Sequence, residues 1–148
     1  MRKLRGFTLV ELITIIVILG ILAVVAIPRM GNTDYKTREF RDKVVSALRY
    51  AQKTSVSHRR LVCVSFTTSS VTLQINTATT GATCSTDLLV PGTNSNTVNS
   101  PDPLKAYFTS TTVLTTLSFA SDGTSGGRQL SIPGETAIVV EGATGYVN

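Results

Sequence analysis

The chain has 148 residues and a formal net charge of +5, a length that suits one domain with a modest core. Its two cysteines, Cys63 and Cys84, and its single histidine, His58, do not by themselves build a structural zinc site, and its carboxylates do not cluster to complete one. Basic residues crowd the first 60 positions while residues 61–148 carry two basic and five acidic groups; because much of the positive charge sits beside a hydrophobic segment, orientation in a membrane is a more economical reading than nucleic-acid binding.

The start, Met1-Arg2-Lys3-Leu4-Arg5-Gly6, is short and strongly basic. From Phe7 to Pro28 the chain is almost entirely apolar, and Glu11 is the only charge in it. A bilayer core needs about 20 apolar residues as helix, so this stretch is long enough to span one. The positive-inside rule keeps the basic start in the cytoplasm and sends everything after Arg29 outward. Gly20 and Pro28 do not exclude a helix, because membrane helices tolerate both. Three readings compete. A secretory signal peptide has the basic start, the apolar run and a tolerable cleavage site at Val24-Val25-Ala26, but Glu11 interrupts its apolar region. A plain anchor leaves Glu11 unexplained, since an unpaired carboxylate in lipid costs about 2.5–3.5 kcal/mol on insertion scales. In the third reading, assembly supplies Glu11 with a partner; intramembrane ionisable residues are functional candidates by default.

Gly6-Phe7-Thr8-Leu9-Val10-Glu11 resembles the cleavage motif of type IV prepilins and pseudopilins. The resemblance implies a peptidase cut after Gly6 on the cytoplasmic side, N-methylation of the new terminal Phe7, and an assembly carboxylate at Glu11. It also implies partners: other pilin subunits, a prepilin peptidase, an inner-membrane assembly platform and the membrane. The physical logic agrees. A filament built from such helices has a core as apolar as the membrane, so a subunit moves from lipid to filament without wetting this surface. A neighbour's N-terminal ammonium near Glu11 offsets part of the desolvation cost of both charges and fixes register. The expected location is the inner membrane, single-pass with a cytoplasmic N-terminus and a periplasmic C-terminal domain, and then a pilus or a pseudopilus.

Residues 33–57 read as a second helical stretch. Phe40, Val44, Ala47, Leu48 and Ala51 recur at helical spacing and make one apolar stripe. Arg38–Asp42 and Glu39–Lys43 are candidate i,i+4 pairs worth about 0.3–0.5 kcal/mol each. Thr33 or Asn32 marks a bend or restart after Pro28 and Gly31, so the expectation is one long helix kinked near Pro28. Arg38, Arg41, Lys43, Arg49, Lys53, Arg59 and Arg60 form a basic helical region, read as a solvated face more readily than as a contact for nucleic acid or a neighbouring subunit.

After His58 the pattern turns to period two. Leu61–Thr67 and Ser70–Asn76 alternate and predict a hairpin. Val113–Phe119, Gln129–Ile132, Thr136–Val140 and Gly145–Val147 are further strand candidates. Residues 77–103 are rich in Thr, Ser, Asn, Gly and Pro and read as a long loop, with a short strand piece at Leu88–Val90. Cys84 lies in that loop and is placed to pin it to Cys63, as two cysteines in an exported domain form one disulfide. The expected fold is α+β, the type IV pilin fold: a leader at 1–6, a transmembrane and filament-core helix at 7–28, its soluble half at 29–58, and an antiparallel β-sheet domain at 59–148.

The run Arg49-Tyr50-Ala51-Gln52 into Arg59-Arg60 and the first hairpin resembles FimT/GspH-type minor pilins, as do Phe119–Thr124 and Gly142–Val147. Ala26-Ile27-Pro28-Arg29 and the single cysteine pair resemble minor pilins of mannose-sensitive haemagglutinin (MSHA) pili. FimT-type pilins that bind DNA resemble one another in a basic motif, glycine-arginine-any-arginine. The matching positions here are Gly127-Arg128-Gln129-Leu130, so Arg128 is the one candidate DNA contact and the second arginine is absent. One phosphate contact in a net-negative region implies weak, salt-sensitive binding.

Nothing in the chain spells an enzyme or a resident cofactor. His58 lacks the supporting motif of a catalytic triad and sits beside Arg59 and Arg60 as a solvated residue. Gly123–Arg128 is Gly-rich, but it matches no phosphate-binding pattern and reads as a flexible hairpin loop. Asp87, Asp102, Asp122, Glu135 and Glu141 are scattered, without calcium-loop spacing. The leading function is a minor pilin or pseudopilin; the alternative is a DNA-binding or adhesive minor pilin at a filament tip.

Overall fold

The computed structural model describes residues 6–26, 33–78, 81, 83–109 and 116–148, without the side chains at 24–26 and 33–34. The chain is α+β and divides into two compact units, residues 1–35 and 36–148.

In the first unit, helix α1 spans Leu9–Ala26. Thr8 caps its start: the Glu11 amide donates to Thr8 Oγ1 at 3.3 Å, and the Leu12 amide to the Thr8 carbonyl at 3.2 Å. Thr8-x-x-Glu11 has the spacing of a capping box, and its Thr8 half is formed, the Thr8 hydroxyl oxygen accepting from the Glu11 amide. Thr14 returns its hydroxyl to the Val10 carbonyl, which satisfies a polar group inside an apolar run. At 18 residues, α1 is about 27 Å long, just short of a bilayer core of about 30 Å. Among the described residues no helix is long and apolar enough to cross a membrane. The expected span reached Pro28; Ile27, Pro28, the kink expected there and the restart at Gly31 or Asn32 lie outside the described residues. So does the leader Met1–Arg5.

The second unit is built on helix α2, Thr33–His58. Its expected stripe is its core face: Phe40, Val44, Ala47, Leu48 and Ala51 are all fully buried. Val45 joins them, 7% exposed, and widens the stripe. Strands β1, Val62–Phe66, and β2, Ser70–Ile75, form the predicted hairpin, with Val64 opposite Leu73. Alternation sends Val62, Val64, Phe66, Val71 and Leu73 inward.

The loop after β2 differs from expectation. Leu88–Val90 is not a strand. Instead β3, Thr86–Asp87, and β4, Thr97–Asn99, share the far edge of β2. β5, Leu117–Phe119, flanks β1, giving the order β3-β2-β1-β5 with β4 also on β2. The start of the strand expected from Val113 lies outside the described residues. β6, Arg128–Leu130, and β7, Ile138–Val140, form a separate antiparallel pair. The strand expected at Gly145–Val147 is not a full strand: after a turn at 142–144 the segment runs beside β7 through a bridge from Val140 to Val147 and backbone bonds between Val139 and Asn148 and between Glu141 and Tyr146. Gly145 imposes this turn: its φ is 63°, and a Cβ there would fall on the Gly123 carbonyl oxygen.

Both sheets feed one core. Leu117, Phe119, Leu130, Ile132, Ile138, Val140 and Val147 pack with the α2 stripe in one buried cluster. Phe108 stacks against Phe40 at 5.4 Å between ring centroids and meets Phe66 edge-on at 5.9 Å, joining helix, strand and loop. The disulfide Cys63–Cys84 is formed and ties the segment just before β3 to β1. Asn76, 6% exposed, supports the same segment: its side chain donates to the Gly81 carbonyl and accepts from the Ala78 amide.

Candidate functional site

Gly6 and Phe7 precede α1, and Glu11 lies in its first turn. A Cβ built on Gly6 meets nothing within 4 Å, so nothing among the described residues demands glycine there. Phe7 is 73% exposed, and exposed large apolar side chains continue around α1 to Leu22. Glu11 is exposed among them. The arrangement is one carboxylate on a helix that is apolar on all sides.

Thr8 is the residue that sequence reasoning passed over. Its signal was present as Thr-x-x-Glu directly before an apolar run. The cap and the carboxylate therefore share one short motif.

The basic region of α2 is largely engaged within the domain. Arg38 pairs with Glu135 at 3.8 Å, and not with Asp42 as expected. Asp42 instead meets Arg41 at 3.4 Å. Arg41 Nε also donates to the Thr136 carbonyl at 2.9 Å. The expected Glu39–Lys43 pair is present at 2.7 Å. Arg49 donates twice to the Val147 carbonyl, at 3.2 and 3.1 Å, and Gln52 donates to the Thr144 carbonyl at 2.6 Å. These groups hold the β6–β7 turn and the C-terminal segment against α2. Arg128 sits at the start of β6, opposite Val140.

Four amides of the Gly-rich loop are already bonded within the domain: Gly123 to the Ala120 carbonyl, Thr124 to Asp122 Oδ1, Ser125 to the Gly142 carbonyl and Gly127 to Ser125 Oγ. Asp122 also accepts from the Thr124 hydroxyl at 2.7 Å; that bond and the one from the Thr124 amide hold its carboxyl below the usual carboxylate range. A cleft of 350 Å³ opens between α2 and residues 90–99, lined by Lys43, Ser46, Val90–Thr93 and Thr97–Asn99. Its Thr93 and Thr97 hydroxyls already bond to neighbours within the domain. His58 is exposed at the end of α2. Among the described residues no group of His, Cys, Asp and Glu is placed to hold a metal ion.

Residues 1–27 match the family described as the prokaryotic N-terminal methylation motif. The chain is also 51% identical over 49 residues to the type II secretion system core protein G of Klebsiella pneumoniae, an alignment covering 32% of this chain and 33% of that protein. The chain thus spans about a third of the length of the curated relative it matches. No solved structure matches the chain. The two matches support a type IV pilin or pseudopilin family, and two helices followed by antiparallel sheet are consistent with the type IV pilin fold.

Proposed function

We propose that this chain is a minor pilin or pseudopilin, a structural subunit rather than an enzyme. In this reading it inserts in the inner membrane with a cytoplasmic N-terminus, is cut between Gly6 and Phe7 by a prepilin peptidase, and is N-methylated on Phe7. An assembly platform then packs it by α1 into a filament of other pilin subunits. The observation that carries the reading is α1 itself: apolar on all sides, exposed along its length, and covered by the N-terminal methylation match. Such a helix needs lipid or like helices around it. Gly6 fits the same account, because its lack of a side chain serves a visitor and not the fold.

Glu11 gives the test. Glu11→Gln keeps a polar side chain at the capping-box position and removes the charge; Glu11→Val removes both. Both variants should be processed to a methylated Phe7 terminus, seen by mass spectrometry, and both should be lost from sheared filaments. Filament entry by Glu11→Gln at the wild-type level would remove the charge from the assembly step. A mature terminus at Ile27 would replace the whole reading with an ordinary secreted domain.

A further inference from the structure

Leu104 is the most exposed large apolar side chain among the described residues, at 88%, and it stands on a fixed turn. The Lys105 and Ala106 amides both donate to the Asp102 carbonyl, at 3.1 and 2.8 Å. Ala106 and Phe108, buried just behind, anchor that turn in the core. A single exposed leucine is ordinary on a protein surface. This one has Tyr107 near it, 36% exposed, and stands at the end of the domain where the chain arrives from α1.

Backbone bonds fix the placement. The Ser100 amide donates to the Ser69 carbonyl and the Phe108 amide to the Thr68 carbonyl, both at 2.8 Å, so the turn lies along the β1–β2 link. The Thr109 amide donates to the Ser131 carbonyl at 3.0 Å, and the residues that follow Ser131 reach the first half of α2 through Arg38–Glu135 and the Arg41 bond to Thr136. Phe108 meets Phe40, which lies about 10 Å along the helix axis from Thr33. The six residues between Ala26 and Thr33 bridge at most about 25 Å, however they run. Whatever surface receives α1 is therefore within reach of this end.

The charges here suit a lipid surface. Arg38 is 73% exposed while its partner Glu135 is 12% exposed, so the cation is the outer member of that pair. Asp42 is matched by Arg41 and Glu39 by Lys43. Lys36 and Lys105 are exposed as well. Leucine, tyrosine and cations together settle at a bilayer interface: the apolar chain dips below the headgroups, the phenol sits at their level and the cations meet phosphate. We propose that this end of the domain makes a second membrane contact, with Leu104 and Tyr107 in the headgroup layer of a phospholipid surface and Lys36, Arg38 and Lys105 against its phosphates. The contact rests on the reading above that α1 is inserted in a membrane. Tethering by α1 makes it intramolecular, so a patch too small to hold a free domain on lipid is sufficient. It holds the domain down on the bilayer and must release when α1 leaves lipid.

The chain has no tryptophan, so a tryptophan introduced at one position reports its own surroundings. The full chain carrying Leu104→Trp is reconstituted at low density in vesicles of phosphatidylethanolamine and phosphatidylglycerol that contain a brominated lipid quencher. Tyr146→Trp is the comparison, since its neighbour Thr144 is held by Gln52, about 18 Å beyond Phe40 along α2. Leu104→Trp should be quenched about fivefold more strongly than Tyr146→Trp and should emit further to the blue. Adding Lys36→Glu and Lys105→Glu should lower that quenching about threefold, with the thermal midpoint of the domain unchanged. Equal quenching at the two positions overturns the contact and leaves the insertion of α1 standing, which flotation of the same chain with the vesicles reports separately. A chain that does not float with lipid overturns both. Quenching of Leu104→Trp that survives the charge reversal in full overturns the phosphate contact, and loss of quenching as chain density rises assigns Leu104 to a neighbouring subunit and overturns the lipid as its partner.

Discussion

In α1, Ile13, Ile16 and Leu19 remain 48%, 58% and 59% exposed; in α2, Phe40, Val44 and Leu48 are fully buried. The residue types are alike, but their distribution is not. α2 confines apolar groups to a stripe and leaves Glu39, Asp42, Lys43 and Lys53 outside it, so a sheet on one side can bury everything that needs burial. α1 carries apolar groups all round, and one neighbour on one side cannot cover them. The domain therefore buries its own apolar stripe, whereas in the function proposed above α1 is completed by lipid or by other helices. Perturbations should sort accordingly.

Removing a core ring should have the largest effect. Phe40→Ala should cost the domain about 3–5 kcal/mol, measured by urea unfolding, while helicity of α1 in detergent stays unchanged. A fall in both would break the separation. Reducing Cys63–Cys84, which closes a loop with a sequence separation of 21, should cost about 3 kcal/mol and speed amide exchange across residues 77–86. Thr8→Ala should act on the other side of the comparison. It should weaken the start of α1 by about 1 kcal/mol, visible as faster exchange in the first turn, and leave the domain's unfolding midpoint in place. The smallest effect is at Asp122. Its folded pKa is lowered from 3.8 by its bonds to Thr124, so the stability it adds is present above that value and is lost as pH falls through the lower folded one. Asp122→Asn should lose part of the acid dependence of the thermal midpoint, scanned from about pH 5 to about pH 2.

How much was legible followed the range of each interaction. The α2 stripe could be read because five buried positions obey one local period. β1 and β2 could be read because Val62, Val64 and Phe66 alternate against Val71 and Leu73. β3 and β4 carry Thr, Asp and Asn in two and three residues, too short and polar for a pattern; they are strands because β2 offers backbone partners. Arg38 took Glu135 over Asp42, a choice that depends on where the β6–β7 turn arrives. Glu11 stood out as the one charge in an apolar run, but the Thr8 hydroxyl beneath its amide emerged with the structure. Arg59 looked like a cation at a helix end; its left-handed backbone has no signature in the residue type.

Arg41, Arg49 and Gln52 all reach main-chain oxygens, those of Thr136, Val147 and Thr144. A carbonyl is the same acceptor whatever side chain its residue bears. α2 thus adds three side-chain fastenings to the last thirteen residues, beside the β6–β7 pairing and the buried side chains of Ile138, Val140 and Val147, and the exposed positions between them are free to vary in what they display outward. Tyr146, 56% exposed between two of these fastened carbonyls, is one such display position. New side chains there would change the face shown to the surroundings without loosening the strap that carries them. Gly145 is held to its identity, because the Gly123 carbonyl fills the space a side chain would need.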